Sequence, residues 1–286
     1  MSPSLPSPGS RPCQLCGHLP LAEFCVPDRV TFWRCDRCGL YQYGPQASDE
    51  CHEEAEYHAS YSAQLGRKLH TATTRLNRIA PCISGQRPKL LDVGCGIGVV
   101  MEAAEARGWE AVGVDISRRI VDHCREKGLQ CQRVANWDLP FENESFDVVT
   151  AWSVIEHVTD VRDVLREWNR VLRPGGVLAM DTSDAACLKA RLLGTRYRGI
   201  WVPGHTYTFT RSTLREFCRQ AGFVEVRQPL IGRPVGMSFG QTVLAAAYQV
   251  QYEVRNLLRI QKAFQLFLRK PQSSAQRQPT PVASAA

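Results

Sequence analysis

The sequence predicts an α/β protein in which helices cover both faces of a parallel-rich sheet, with a small cysteine-paired module in front. Three observations carry that prediction. From Lys89 onward, short β-type runs alternate with helical ones, and each change of period falls at a Gly or a polar break. An apolar run, Leu90-Leu91-Asp92-Val93, ends in Gly94-Cys95-Gly96-Ile97-Gly98 and passes straight into a helical pattern. Ahead of both stand Cys13-x-x-Cys16-Gly and Cys35-x-x-Cys38-Gly.

Composition fits this fold and excludes others. The 286 residues are 44% hydrophobic and 22% charged, near the globular average, which excludes a fibrous or wholly disordered chain. No run of eighteen uncharged apolar residues is present, and Met1 to Arg11 is Pro/Ser-rich, so neither a spanning helix nor a secretory leader is expected and a cytoplasmic address is. The formal charge of +7 is spread along the chain and permits an anionic partner without requiring one.

In chain order, residues 1–12 form a tail too poor in large apolar side chains to offset the entropy of ordering. Residues 13–43 hold the two cysteine pairs. Their spacing is that of a four-cysteine zinc site in two knuckles, and four thiolates leave no open position, so Cys13, Cys16, Cys35 and Cys38 are read as ligands of a structural zinc. The other cysteines, Cys25, Cys51, Cys82, Cys95, Cys124, Cys131, Cys187 and Cys218, lack such pairing and are read as buried small apolar residues or ordinary thiols. A polar, helical connector or lid spans 44–85, and the main domain spans 86–237.

Within that domain, strands are expected at 89–93, 110–115, 129–134, 146–152, 176–182 and 223–228. Helices are expected at 97–107, 117–127, 160–172 and 211–221, the last opening on Thr210 and closing at Gly222. Arg173-Pro174-Gly175-Gly176 reads as a helix stop and turn with no chemistry of its own. Apolar residues from Val243 to Leu268 fall largely at helical spacing among Arg255, Arg259, Lys262, Arg269 and Lys270, which predicts a basic amphipathic helix over 238–270. Residues 242–270 are thereby compatible with peripheral membrane contact, the alternative being a helix docked on the protein itself. Residues 271–286 form a second tail.

The glycine turn implies a ligand, because alternate glycines let the main chain approach one that a Cβ would repel. A dinucleotide is the obvious competitor, but its fingerprint puts a glycine at the sixth position, which is Val99 here. Asp92, two residues before the first glycine, would repel a pyrophosphate and suits a positively charged amino acid. The second strand, Ala111-Val112-Gly113-Val114, ends on Asp115, where a carboxylate can accept bonds from both ribose hydroxyls of a nucleoside.

These residues, with Leu139-Pro140-Phe141, Ser145-Phe146-Asp147, Ile155-Glu156-His157-Val158 and Leu172-Arg173-Pro174-Gly175-Gly176, resemble the class I S-adenosylmethionine-dependent methyltransferases, in particular the group related to ubiquinone, menaquinone and sugar methyltransferases. The resemblance covers about 89–182, with a weaker echo at His205, Phe209 and Ala221-Gly222-Phe223. It implies a Rossmann-like, parallel-rich sheet with helices on both faces, preceded by a small zinc-ribbon module. It implies S-adenosylmethionine as cofactor, with Gly94, Gly96 and Gly98 lining the methionine part and Asp92 supporting its amino group. Asp115 would hold the ribose and Ile116 would pack on the adenine. The loop after the third strand, where the group often carries an acid, reads Ala135-Asn136-Trp137-Asp138, so Asn136 and Trp137 are assigned the edge and face of the adenine. Ser153, at the end of the fourth strand, faces the ligand crevice of such sheets.

Methyl transfer needs alignment of the partners and removal of a proton when the acceptor is an alcohol, phenol or acidic carbon. His157, just past the fourth strand, and His205, in the variable segment after the fifth, are the candidate bases, since imidazole titrates near neutrality. The expected acceptor is a small molecule, a sugar or a lipid-linked compound. An RNA acceptor recognised with help from the zinc ribbon is one alternative, and a non-catalytic interaction protein that kept the fold is another.

Overall fold

Along the chain, three short strands come first: β1 (Ala22–Cys25), β2 (Thr31–Arg34) and β3 (Tyr41–Tyr43). A helix, α1 (Leu65–Ile79), leads into β4 (Lys89–Val93), α2 (Val99–Glu105), β5 (Glu110–Asp115), α3 (Arg118–Glu126) and β6 (Cys131–Arg133). The alternation continues through β7 (Phe146–Trp152), α4 (Val161–Val171), β8 (Leu172–Ser183) and α5 (Leu188–Leu193). It ends with β9 (Tyr207–Thr208), α6 (Arg211–Gln220), β10 (Val224–Glu225) and β11 (Ala263–Arg269). This computed structural model describes residues 12–19, 21–25, 31–43, 65–135, 137–200, 202, 204–226, 247, 250–251, 254–255, 258 and 260–272.

Seven strands form the main sheet in the order β10-β11-β8-β7-β4-β5-β6. The five from β8 to β6 are parallel, and β11 runs antiparallel to β8. Chain order proceeds outward from β4 through β5 to β6, then jumps back to β7 on the other side of β4. That reversal is a topological switch point, and the crevice beyond the carboxyl ends of β4 and β7 is where such sheets bind ligands.

Both faces of the sheet are buried, so its strands are near-continuous apolar runs rather than alternating ones. Successive residues nevertheless go to different cores. Leu90, Ala111, Val148 and Ala179 pack with α1, α2 and α3, whereas Leu91, Val112, Val149 and Leu178 pack with α4 and α6. The helices begin where short polar side chains can cap them: Ser117 accepts from the amide of Ile120, Asp160 from Arg162 and Asp163, and Thr210 closes a capping box with Thr213.

The small sheet, β1-β2-β3-β9, joins the two ends of the sequence pattern. Its fourth strand comes from the main domain, with Tyr41 opposite Thr208 and Gln42 opposite Tyr207. Leu15, Trp33 and Leu40 share one core with Trp168 and Phe217, and the Arg162 guanidinium donates to the carbonyls of Gln14 (3.0 Å) and Leu15 (2.6 Å). The cysteine-paired segment is therefore fused to the body rather than strung in front of it.

Four expectations are corrected. The helix expected over 238–270 does not extend through 263–269, which is strand β11. There Phe264, Leu266 and Leu268 bury into one core and Phe267 into the other, a two-residue period that pairs edge to edge with β8. The basic residues of that stretch are tied to carbonyls, Arg269 to Cys82 (2.6 Å) and Lys270 to Leu172 (2.8 Å) and Asn169 (3.0 Å), rather than presented as a cationic face. Described residues between 247 and 255 are helical, Leu258 lies in a turn, and the rest of 238–259 lies outside the described residues. Second, β8 begins at Leu172 instead of 176, because α4 feeds directly into the sheet through Pro174 and Gly175. Third, β10 ends at Glu225 instead of 228, and residues 227–228 lie outside the described residues. Fourth, of the helical connector or lid expected over 44–85, the long helix occupies Leu65–Ile79, where Ala72, Leu76 and Ile79 are buried against α2 and the sheet. The first part of the connector, 44–64, and most of both tails lie outside the described residues. Among the described residues no helix is long and apolar enough to cross a membrane.

Candidate functional site

The turn after β4 folds under and over its own neighbours. The amides of Gly94 (2.8 Å) and Cys95 (3.1 Å) both donate to the carbonyl of Val114, pinning the turn to the end of β5. Gly94 (φ 64°) and Gly98 (φ 84°) lie in left-handed conformations, and a Cβ would meet Val154 Cγ2 at 2.6 Å or Leu129 Cδ1 at 2.4 Å respectively. No other residue satisfies both demands. Glycine at these two positions is thus required by packing beneath the turn and by its backbone conformation.

Asp115, the last residue of β5, braces this turn. One carboxylate oxygen accepts from the amide of Gly96 (3.1 Å) and the other from that of Ser117 (3.0 Å). Its burial raises its pKa against the pull of those amides. Beside it Ile116 stands half exposed at the rim, an apolar surface with no burial to explain its side chain.

Asp92 is buried within the sheet, and Thr150 on β7 donates to it at 2.6 Å. Burial pushes its carboxyl up to about 7, against the pull of Thr150 and of the nearby Arg75 charge. A cation brought to this carboxylate would favour its ionised form.

Ser153 follows β7 with φ 56°, a conformation uncommon for any residue other than glycine, and its amide donates to Asp181 at 2.9 Å. Asp181, near the end of β8, pairs with Arg75 of α1. The Arg75 guanidinium in turn stacks 4.0 Å over the indole of Trp152. Trp137 also has a positive φ, 62°, and is partly buried against the core of α4 and α6. Asn136 lies outside the described residues.

Past Ser153 the chain turns through Glu156 and His157, and a second segment is stapled onto it. The amides of Thr206 (2.7 Å) and Tyr207 (3.1 Å) donate to the Glu156 carbonyl, and the Tyr207 hydroxyl donates to that of Thr159 (2.9 Å). His205 is thereby brought edge-on to His157, ring centroids 4.8 Å apart. His157 Nδ1 lies 3.0 Å from the Gly204 carbonyl, which can only accept, so Nδ1 carries the proton and Nε2 is the basic nitrogen of the neutral ring. Ligand atoms of Glu156, His157 and His205 all lie within 4.8 Å of one another. Burial, with Asp181 nearby, pushes Glu156 up to about 8.

The four paired cysteines also converge. Cys13 and Cys38 sulfurs are 3.5 Å apart, those of Cys16 and Cys35 are 3.6 Å apart, and all four lie within 4.8 Å of one another. A tetrahedral zinc with sulfurs at about 2.3 Å needs separations of about 3.8 Å, so the donor set fits that ion. Each knuckle turns on a left-handed glycine, with the Gly17 amide donating to the Cys13 carbonyl and that of Gly39 to the Cys35 carbonyl.

Every described residue singled out in the sequence for the cofactor lies near the carboxyl ends of β4 and β5 or on the turns beyond β4, β5, β6 and β7, and the two histidines meet past the end of β7. Arg75, Trp152, Asp181 and Glu156 were not singled out. A charge at the end of the buried run Val177-Leu178-Ala179-Met180 was the available signal for Asp181, and the strand-end rule that selected Ser153 applies equally to Trp152. Arg75 sits in a polar helix with nothing local to distinguish it.

The family described as a methyltransferase domain matches residues 61–228. A ubiquinone biosynthesis O-methyltransferase from Methylococcus capsulatus is 34% identical over 148 residues, covering 47% of this chain and 62% of that protein. Its counterpart from Pseudomonas fluorescens is 30% identical over 197 residues, covering 64% of this chain and 84% of that protein. The chain thus spans less than two thirds of the first relatives it matches, 62% and 58%. Among solved structures, a SAM-dependent methyltransferase from Archaeoglobus fulgidus superposes with a TM-score of 0.52 at 17% identity, covering 75% of this chain and all of that one. A chain from the complex of the Haloferax volcanii Trm112 methyltransferase activator with a methyltransferase gives 0.54 at 18% identity, covering 77% and 99%. At these identities the likeness is one of fold.

Proposed function

Because the chain belongs to the methyltransferase-domain family, we propose that it transfers a methyl group from S-adenosylmethionine to the hydroxyl of a small-molecule acceptor. The observation that carries this reading is the glycine turn at the switch point, braced by Asp115 and flanked by a buried carboxylate that gains its charge when a cation approaches. When bound, S-adenosylmethionine supplies a methyl group on positive sulfur, open to in-line displacement. Gly94, Gly96 and Gly98 line its methionine part, and Asp92 receives the amino group. Asp115 would hold the ribose hydroxyls with the lone pairs its amide contacts leave, and Ile116 and Trp137 would offer apolar surface to the adenine. Ser153 and the Arg75–Asp181 pair form the wall beyond β7. Sugars and lipid-linked compounds fall within the same acceptor class, and the relatives' ubiquinone chemistry favours a phenolic or alcoholic oxygen.

His157 takes the acceptor's proton on Nε2, its tautomer held by the Gly204 carbonyl, and His205 fixes the plane of its ring. A general base of this kind is worth about 10²–10⁴-fold. Cys13, Cys16, Cys35 and Cys38 hold a structural zinc that keeps β3 in place beside β9, and so holds His205 against His157.

Calorimetric titration with S-adenosylmethionine and its demethylated product, beside an Asp115→Ala variant, tests the reading. Micromolar binding by the wild type that the variant loses supports it. Absence of binding to the correctly folded, zinc-loaded wild type overturns it.

A further inference from the structure

Beneath the glycine turn, on the face of the sheet opposite the zinc cluster, lies a second sulfur cluster. Cys95 from the turn, Cys124 from α3 and Cys131 from the first position of β6 bring their sulfurs within 4.8 Å of one another, Cys95 and Cys131 being 3.5 Å apart. Their spacing offers no reason to join them, since they stand 29 and 7 residues apart with no Cys-x-x-Cys unit. All three are buried, at 5%, 0% and 4% exposure. A fourth soft atom is close: Met101 Sδ and Cys95 Sγ lie 2.6 and 2.8 Å from the point where a Cβ on Gly113 would sit. Gly113 thus keeps open the space that these two sulfurs occupy.

Donor type, number and surroundings select the ligand. Three thiols and a thioether are soft donors, which favour cuprous copper or zinc over any oxygen-seeking cation. Zinc in a protein takes four strong ligands. Here the described side chains around the sulfurs, Leu129, Ile97, Ile120 and Val121, are apolar and offer no fourth strong donor, and the Gly96 carbonyl beside them already accepts from the Cys124 thiol at 3.2 Å. Three sulfurs at about 2.3 Å around a trigonal ion stand about 4 Å apart, within the range observed. Two cations stand at the rim, Arg125 donating to the Cys131 carbonyl (3.0 Å) and Lys127 to that of Ile97 (3.3 Å). Lys127 is itself paired with Glu102, so it is Arg125, whose charge favours the Cys131 thiolate, that offsets part of the negative charge thiolates around a monovalent ion would leave in a dry core. We propose that Cys95, Cys124 and Cys131, with Met101 beside them, form a site for one monovalent soft metal ion of the cuprous class, which clamps the cofactor turn to α3 and β6. On binding, each thiol that becomes a ligand gives up its proton to solvent and no electron moves.

The test uses the full-length, zinc-loaded chain titrated anaerobically with cuprous ion held by a chromogenic chelator, reading copper retained and zinc released. The expected result is one copper per chain with zinc unchanged, and loss of that copper in Cys124→Ser and Cys131→Ser variants that keep their zinc and their melting transition. X-ray absorption of the wild-type copper adduct should show a sulfur-only first shell of low coordination number, a reading that does not depend on the variants folding. The proposal is overturned if the wild type takes no copper from the chelator, if copper displaces zinc one for one, or if both folded variants retain the metal. Binding of S-adenosylmethionine is measured separately, so failure here leaves the methyl-transfer reading standing, and failure there leaves this one.

Discussion

Among single residues, two buried carboxylates, Asp92 and Glu156, are pushed by burial into a testable window. Asp92 has a folded pKa of about 7 against an ordinary 3.8, so near neutrality the empty site holds it partly protonated. An ammonium group docking against it pulls that proton off. Affinity for S-adenosylmethionine should therefore rise as pH increases from 6 to about 8, with a proton released on binding, and Asp92→Asn should weaken binding and flatten the profile. Calorimetry in two buffers of different ionisation enthalpy reads the proton directly. Glu156, raised from 4.5 to about 8 by burial, has the sign of a destabilising charge. The unfolded state loses this proton near 4.5 while the folded state keeps it to about 8, so stability falls as pH rises between those values and is lowest above the upper one. Glu156→Gln keeps the neutral shape, and should be as stable as the wild type at pH 4.5 and more stable at pH 9 by denaturant melts. Equal pH dependence in both proteins would contradict the assignment. Gly98→Ala combines a left-handed backbone with a clash against Leu129, and overpacking of that kind costs about 1–3 kcal/mol, visible as a lower urea midpoint.

At the scale of elements, the pairing of β3 with β9 is the contact that matters most. It makes the cysteine-paired sheet a structural support for the segment carrying His205, rather than an appended recognition module. Zinc removal should therefore speed amide exchange at 204–210 and lower methyl transfer, while leaving the affinity for S-adenosylmethionine within a few-fold of its original value. Hydrogen exchange and calorimetry on the same chelator-treated sample check both halves. Nothing in the spacing of Cys13 to Cys38 could announce this pairing, because a two-residue strand such as β9 has too short a pattern to read. The same limit explains β11. Phe264, Phe267 and Leu268 satisfy a helical period and a mixed two-faced strand equally well, and only the ladder with β8 decides between them.

For the whole molecule, the alternation of strand and helix, the glycine turn and the acid closing β5 made the sheet and the cofactor crevice legible in the sequence, since each rests on local periodicity or on a backbone demand within a few residues. What was not legible depends on chain segments meeting across the fold. The Arg75–Asp181 pair spans α1 and β8, the meeting of His157 with His205 spans two loops, and the second sulfur cluster spans a turn, a helix and a strand. The reading proposed above seats S-adenosylmethionine in the crevice at the β4–β7 switch point. A crystal structure of the zinc-loaded chain with the demethylated cofactor is the first test. The methionine part is expected over Gly94–Gly98 and the ribose on Asp115. Ligand density elsewhere on the chain, with that turn still in place and nothing bound over it, would contradict it.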